Sequence, residues 1–279
     1  MTKICLIGAG SERDREIRKL NRTFEFRRAV SQALDRVALG QSLVRGPLTH
    51  PHPGWLYPET VWFNAESSVF YPYAPETSKA LLAELGFQDT DGNGIVNWTS
   101  GPLAGQDLEV SLAYGTGSSE APNMADSIVT MLREVGIKVI PRPVPDVRPA
   151  AQPWWHRATA EHPRDLLPFE NELVELIQQF RTETDSQKAV ELMHRFNKVF
   201  TENIYHIGLI TAPGALIINK RVRNASNPPI LAYDWAEDAA IRERFWTPTD
   251  QRVGWASGCP RGPSSSLEGM RISSYVSSA

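Results

Sequence analysis

Phe26–Arg36 reads FRRAVSQALDR, Ala74–Phe87 reads APETSKALLAELGF and Asp89–Ile95 reads DTDGNGI, and the order of these stretches decides the fold. In the first, Phe26, Ala29, Val30, Ala33, Leu34 and Val37 recur at helical spacing on one face, while Arg27, Arg28, Gln32 and Asp35 take the other. The spacing predicts one amphipathic helix over residues 26–37, with Gly40 or Gly46 ending it or its extension. In the second, Pro75 sits where a first-turn proline is tolerated, and Ala80, Leu81, Leu82, Ala83 and Leu85 carry a helix to a stop at Gly86. Residues 46–73, rich in proline and aromatics and without a sustained period, read as a long connection.

Working outward, Leu108, Val110, Leu112 and Tyr114 alternate with polar or small neighbours, the pattern of a strand with one buried face. Met124, Ile128, Met131, Leu132 and Val135 follow as a helix stopped by Gly136, and residues 137–144 read as a second strand ended by its prolines. Strand, helix and strand in this order imply a right-handed parallel crossover within a mixed sheet. Farther on, Leu173, Leu176, Ile177 and Phe180 define one helix. Ala189, Leu192, Met193, Phe196, Val199 and Phe200 define another, capped by Asp185. Ile204–Ile210 and Ala215–Ile218 are β-like runs separated by Ala-Pro-Gly, and the chain carries no internal repeat.

A helix of the form FRRAxxxAxDR, a second of the form PexAkaLLaeaG and an Asp/Gly turn, in that order, resemble the solute-binding proteins of peptide- and nickel-type ABC importers, bacterial extracellular solute-binding protein family 5. The stretch LMHRFNKVFTENIYHIGLITAPGALIINKRVRN, Leu192–Asn224, is similar to that family's return segment, and the likeness runs from Asp14 to Pro248. The resemblance implies an α/β fold of the type II periplasmic-binding-protein kind, mostly lobe two plus the returning part of an incomplete lobe one. It divides the chain into an atypical leader at 1–20, lobe two at 21–205, a return segment at 206–248 and a disordered tail at 249–279. It implies a monomer outside the cytoplasm that holds a peptide or similar small solute between two lobes and delivers it to membrane permease subunits. No catalysis and no cofactor are implied. Two departures stand out: the joint PVPDVRPAAQP before WWHRATAEHPRDLLPFE is short, and the opening part of lobe one has no counterpart. A truncated lobe one leaves strand faces uncovered, so marginal stability or aggregation is expected.

Composition permits this reading without selecting it. The 279 residues, 41% hydrophobic and 22% charged, are enough to bury a core. A net charge of -3 lacks the concentrated basic field that nucleic acid requires. Cys5 and Cys259 lie near opposite ends, which argues against a disulfide or zinc framework. No apolar run reaches the length of a membrane-spanning helix. The opening MTKICLIGAG is too short for the core of a signal peptide, so the expectation is a chain lacking one.

Several local patterns invite chemistry. Lys3–Ser11, KICLIGAGS, resembles the strand and glycine turn of a dinucleotide-binding unit, and the alternative function is a cytoplasmic nucleotide-dependent oxidoreductase; Arg13 stands where the third glycine belongs. Asp89, Asp91, Asn93 and Gly94 match the first half of a calcium loop, but Ser100 replaces its twelfth-position carboxylate, and the simpler reading is a polar turn. His50 with His52 and His156 with His162 lack metal-ligand spacing on a helix, so no metal is expected. No GxSxG, Cys–His set or HExxH appears. Glu237 and Asp238 read as a solvated helix face, and Asn21, Asn97 and Asn224 open glycosylation triplets that occur by chance. Trp154, Trp155 and Trp235 are candidate cleft walls or packing residues. Tyr233, Asp234 and Trp235 together offer a ring, a hydroxyl and a carboxylate, and are the candidate ligand-binding set, with Asp234 facing a peptide's α-ammonium.

Overall fold

The computed structural model describes residues 5–6, 11–43, 49–54, 56, 60, 62–117, 120–145, 165–211, 222–223 and 248. Met1–Thr211 fall in one compact unit and Ala212–Ser277 in a second. The second unit contributes only residues 222–223 and 248 to the described set, so the architecture below is that of the first.

Its centre is a parallel pair, β5 (Glu109–Gly115) and β6 (Lys138–Val144), joined through helix α5 (Ala121–Glu134). The register runs from Glu109 opposite Lys138 to Gly115 opposite Val144. The expected parallel crossover is therefore present, and alternation explains it: Leu108, Val110 and Leu112 are buried on one side with Ile128, Leu132 and Ile137. A short β1 (Cys5–Leu6) adds to the other side of β5, antiparallel.

Helix α1 (Glu12–Arg22), helix α2 (Phe24–Gln32), helix α3 (Arg36–Leu43) and helix α4 (Pro75–Glu84) contribute buried residues to the same core as this sheet. Helix α1 begins inside the stretch that the sequence sets apart as a leader, and its Ile17 and Leu20 are buried in the same core as Phe26 and Val110. The single helix expected over residues 26–37 is instead two. Asp35 Oδ1 accepts the N–H groups of Val37 and Ala38, at 3.0 Å each, and so starts a new helix. The break turns the apolar face: Val37, expected in the core, is 56% exposed, and Arg36, next to it, is 4% exposed. Helices α2 and α4 pack closely because Ala29 lies between them, and the Ser78 hydroxyl donates to Ala29 O at 2.6 Å.

Among the described residues of the connection expected over 46–73, the regular pieces are β2 (His50–Pro51) and a tight turn at Ala65–Ser67. The DTDGNG stretch bridges β3 (Phe87–Gln88) and β4 (Asn97–Trp98), an antiparallel pair. Its head is fastened by Asn97, 1% exposed, whose Oδ1 accepts from Thr90 N and Oγ1 at 2.8 Å each. That burial also closes the Asn97 triplet to glycosylation in the folded chain.

Helix α6 (Pro168–Thr182) and helix α7 (Ser186–Glu202) form the expected hairpin over a second core of Leu173, Leu176, Phe196, Val199 and Phe200. Asp185 caps α7 as read, accepting from Gln187 N and Lys188 N. The β-like run expected over 204–210 yields only β7 (Ile210–Thr211), paired antiparallel with β2. Its first residues serve the helix end instead: Ile204 N–H donates to Thr201 O and Tyr205 N–H to Phe200 O, which closes α7. Ile204 takes φ +48 there, a position that favours glycine. Burial of its side chain to 3% exposure recovers about 1.5–3 kcal/mol, enough to offset a left-handed cost of about 1–2 kcal/mol.

Candidate functional site

An open parallel sheet has two unlike edges, and ligands settle outside the carboxyl ends of its strands. Here the amino edge is closed by charge. Glu109 Oε2 receives Lys138 Nζ at 2.8 Å, and Glu109 Oε1 receives Arg13 NH1 at 2.8 Å. Arg13 NH2 also donates to Gln106 Oε1 at 2.7 Å, and Asn97 Nδ2 to Asp107 Oδ1 at 3.1 Å. The hydrogen bond from Lys138 leads the causes that hold the Glu109 carboxyl below its ordinary 4.5, against the upward push of desolvation. A carboxyl held low favours the folded state above its ordinary value, and that contribution disappears as pH falls through the folded-state value. Lowering pH from 7 to 3 is therefore expected to depress Tm, and Glu109→Gln to flatten the Glu109 part of that acid limb while lowering Tm at pH 7. Parallel Tm-against-pH curves for the two proteins would remove Glu109 from this role.

The carboxyl edge carries different side chains. β5 carries Tyr114, half-buried against the main core, next to its last residue Gly115, and the chain then passes through exposed Thr116 and Gly117. Thr116 N–H donates to Val144 O at 3.0 Å, holding the two strand ends level. Helix α5 starts at this same edge, after exposed Glu120. The carboxyl edge thus carries Tyr114, Thr116 and Glu120 at or next to its strand and helix ends. The chain leaves β6 here through Pro145 toward residues 146–164, which include Trp154, Trp155, His156 and His162 and lie outside the described residues. Sequence reading placed Tyr114 on a strand but assigned the edge no role; the signal that points to this edge is the parallel order of the strands.

The candidate set Tyr233, Asp234 and Trp235, like Glu237, Asp238 and Asn224, falls outside the described residues, so the structure neither joins nor separates its members. His50 lies exposed on β2, whereas His52 is 5% exposed. Among the described residues no group of three or more His, Cys, Asp or Glu could hold a metal ion. In the DTDGNG turn the Asp89 oxygens accept Gly92 N–H at 2.8 Å and Gly94 N–H at 3.0 Å, and Asn93 Oδ1 accepts Ile95 N–H at 2.7 Å. The turn spends its oxygens on its own backbone, as a polar turn does. Desolvation, which raises the Asp89 carboxyl, is outweighed by these hydrogen bonds, and the group sits below the usual carboxylate range.

The glycine turn between β1 and α1 meets two obstacles to a pyrophosphate. β1 runs antiparallel to β5, where a dinucleotide-binding unit places its first strand parallel to its neighbours. The N-terminus of α1 is already filled, since Asp14 Oδ2 accepts Ser11 N–H and Oγ–H while Ser11 Oγ accepts Asp14 N–H, and Glu12 adds a second negative charge. An anion there faces repulsion.

The remaining motif residues have structural work that the sequence did not reveal. Arg27 Nε donates to Asn203 O at 3.0 Å, supporting the carboxyl end of α7, and Arg28 Nε donates to Gln32 Oε1 at 2.9 Å. Arg36 Nε donates to Gly208 O at 2.7 Å, across 172 residues of sequence.

Residues 18–163 match the family model of bacterial extracellular solute-binding proteins, family 5 Middle. The chain belongs to this family. Family 5 is a family of binding proteins, which carries the non-enzymatic reading, and the fold is its type II periplasmic-binding-protein fold. The chain is 35% identical over 280 residues to a periplasmic alpha-galactoside-binding protein of Rhizobium meliloti, an alignment covering 88% of this chain and 40% of that protein. It is 31% identical to the periplasmic binding protein MelB of Agrobacterium fabrum, solved with stachyose, with a TM-score of 0.81 over 92% of this chain and 44% of MelB. The oligopeptide-binding protein AppA of Bacillus subtilis, solved with a nonapeptide, shares the fold at 16% identity and a TM-score of 0.61, covering 89% of this chain and 52% of AppA. The family 5 chain therefore spans less than half the length of the alpha-galactoside-binding protein and of MelB. Among its described residues no helix is long and apolar enough to cross a membrane.

Proposed function

We propose that this chain is part of the solute-binding component of an ABC importer, and that its solute is an oligosaccharide of the α-galactoside class. The observation that carries the reading is sequence identity above 30% to two proteins of that kind, one named for α-galactosides and one solved with stachyose. The peptide solute read from the sequence has support only from fold likeness, which does not reach the ligand. The intact protein works as a monomer in the periplasm, closing two lobes on the solute and presenting it to permease subunits.

The chemistry at the carboxyl edge agrees with a neutral polyhydroxyl ligand. Sugar rings present flat apolar faces that stack on aromatic side chains, and hydroxyls that pair with short polar ones. Tyr114, Thr116 and Glu120 supply such groups, and Tyr233, Asp234 and Trp235 supply a second set. In this reading Asp234 accepts sugar hydroxyls instead of pairing with an α-ammonium.

Isothermal titration of the chain with stachyose, beside a tetrapeptide, tests the assignment. Saturable heat with stachyose is expected, together with a rise in Tm, because a ligand that binds only the folded state stabilises it by mass action. Saturation by the peptide alone, or by neither, would remove the α-galactoside reading. Asp234→Asn is expected to weaken stachyose and leave Tm unchanged.

A further inference from the structure

Strand β6 reads KVIPRPV and is followed by Pro145, so prolines stand at 141, 143 and 145, every second residue. Successive residues of a strand turn their backbone N–H and C=O to opposite sides, which makes this spacing a property of one edge. The pairing with β5 says which edge. Lys138 N–H donates to Leu108 O at 3.0 Å at one end of the pair, and Val144 O accepts Thr116 N–H at 3.0 Å at the other. Lys138, Ile140, Arg142 and Val144 therefore direct their backbone groups at β5, and Val139, Pro141 and Pro143 turn theirs outward.

Among the described residues β6 is the last strand on its side of the sheet, whose order is β1, β5, β6. Pro141, Arg142, Pro143 and Pro145 are exposed. An exposed edge is ordinarily a template for a further strand. This one is short of donors, because proline has no N–H, and within the outer row of β6 Val139 alone keeps one. Shifted by one residue, the same prolines would strip the donors from the ladder with β5 and leave the outer edge intact.

We propose that the outer edge of β6 is a barrier to self-association: its proline row prevents the β6 of a second copy of this chain from extending the sheet. Two copies meeting here about a twofold axis lay their strands antiparallel. A seam centred on Pro141 puts that residue opposite its own counterpart and Val139 opposite Pro143. Each Val139 N–H then finds Pro143 O, while the carbonyls of Val139 and Pro141 are enclosed with no donor, a loss that opposes the contact. Arg142, exposed beside the row, brings a like charge from each copy. Aggregation through the uncovered strand faces of a partial lobe one does not run through this edge.

Restoring the donors tests the proposal. Pro141→Thr combined with Pro143→Thr gives the outer row its N–H groups on a polar residue that favours strands. Arg142→Thr introduces the same side chain between them and adds no outward donor. In sedimentation velocity over a concentration series, the double variant is expected to self-associate about tenfold more tightly than the parent chain, the scale of one or two hydrogen bonds, and Arg142→Thr to match the parent. Amide exchange locates the contact. The new N–H groups at positions 141 and 143 are expected to exchange freely at low concentration and about tenfold more slowly at high concentration, a readout that association through any other surface does not move. A Tm near the parent's at low concentration shows that the variant folds; should the double variant unfold, Pro141→Thr alone, at the centre of the seam, carries the same comparison. No gain in association with free exchange at every concentration would overturn the proposal. Equal gains in Arg142→Thr and the double variant would do the same, and so would protection at 141 and 143 that is independent of concentration, since the edge would then be covered within the chain.

Discussion

Gly208→Ala is expected to be strongly destabilising. The added methyl group would meet His52 O and Gly54 N, both backbone atoms, so no side-chain rotation relieves the contact. On one side Arg36 holds Gly208 O, and on the other β2 and β7 are paired, so neither strand can retreat without losing buried hydrogen bonds. Overpacking at a site that cannot yield costs about 3 kcal/mol or more, which in a chain of this size lowers Tm by roughly 6–12 °C. Gly92→Ala is the proper comparison: Gly92 has φ +76 but nothing within 4 Å of an added Cβ. That change carries only the left-handed cost of about 1 kcal/mol. Thermal melts of the two variants check the argument, and equal losses would show that the crossing opens more easily than its contacts indicate.

Phe26→Ala is the second large effect. Phe26 is 1% exposed, among the largest side chains fully enclosed in the main core. Truncating it costs about 3–5 kcal/mol, from lost transfer energy and the cavity left behind. Val37 belongs to the same apolar stripe if the helix is continuous, yet it is 56% exposed, so Val37→Ala should change stability by less than about 0.5 kcal/mol. Urea midpoints for the pair therefore distinguish a broken helix from a continuous one. Comparable losses at both positions would contradict the break at Asp35.

The contrast between Phe26 and Val37 shows what periodicity can read. Apolar spacing found α2, α4, α5, α6 and α7 and the parallel pair, because each buries a stripe against one partner. It overran the α2–α3 break because an aspartate on a polar face and an aspartate capping a new helix look alike until the chain direction is known. It took residues 204–210 for strand because the run is rich in isoleucine, while the end of α7 and the Gly208 crossing claim those residues first. The site was less legible. Strand order points to an edge of the sheet, but the side chains that select a solute are few and carry no period. Arg36 was read only as part of a motif, since its partner lies 172 residues away.

The Asp89–Gly94 turn has a consequence for the chemical lifetime of the chain. Asn93-Gly94 is the kind of dipeptide that ages fastest in a flexible segment, because the glycine nitrogen attacks the asparagine carbonyl carbon and closes a succinimide ring, releasing ammonia. Here the Gly94 nitrogen gives its hydrogen to Asp89 Oδ2, and the Asn93 amide is tethered through Oδ1 to Ile95 and through Nδ2 to Asp91 and Asp107. Nucleophile and electrophile are both committed elsewhere. The residue that a sequence scan would mark as the first to deamidate is, in the folded protein, protected by the hydrogen bonds that shape the turn.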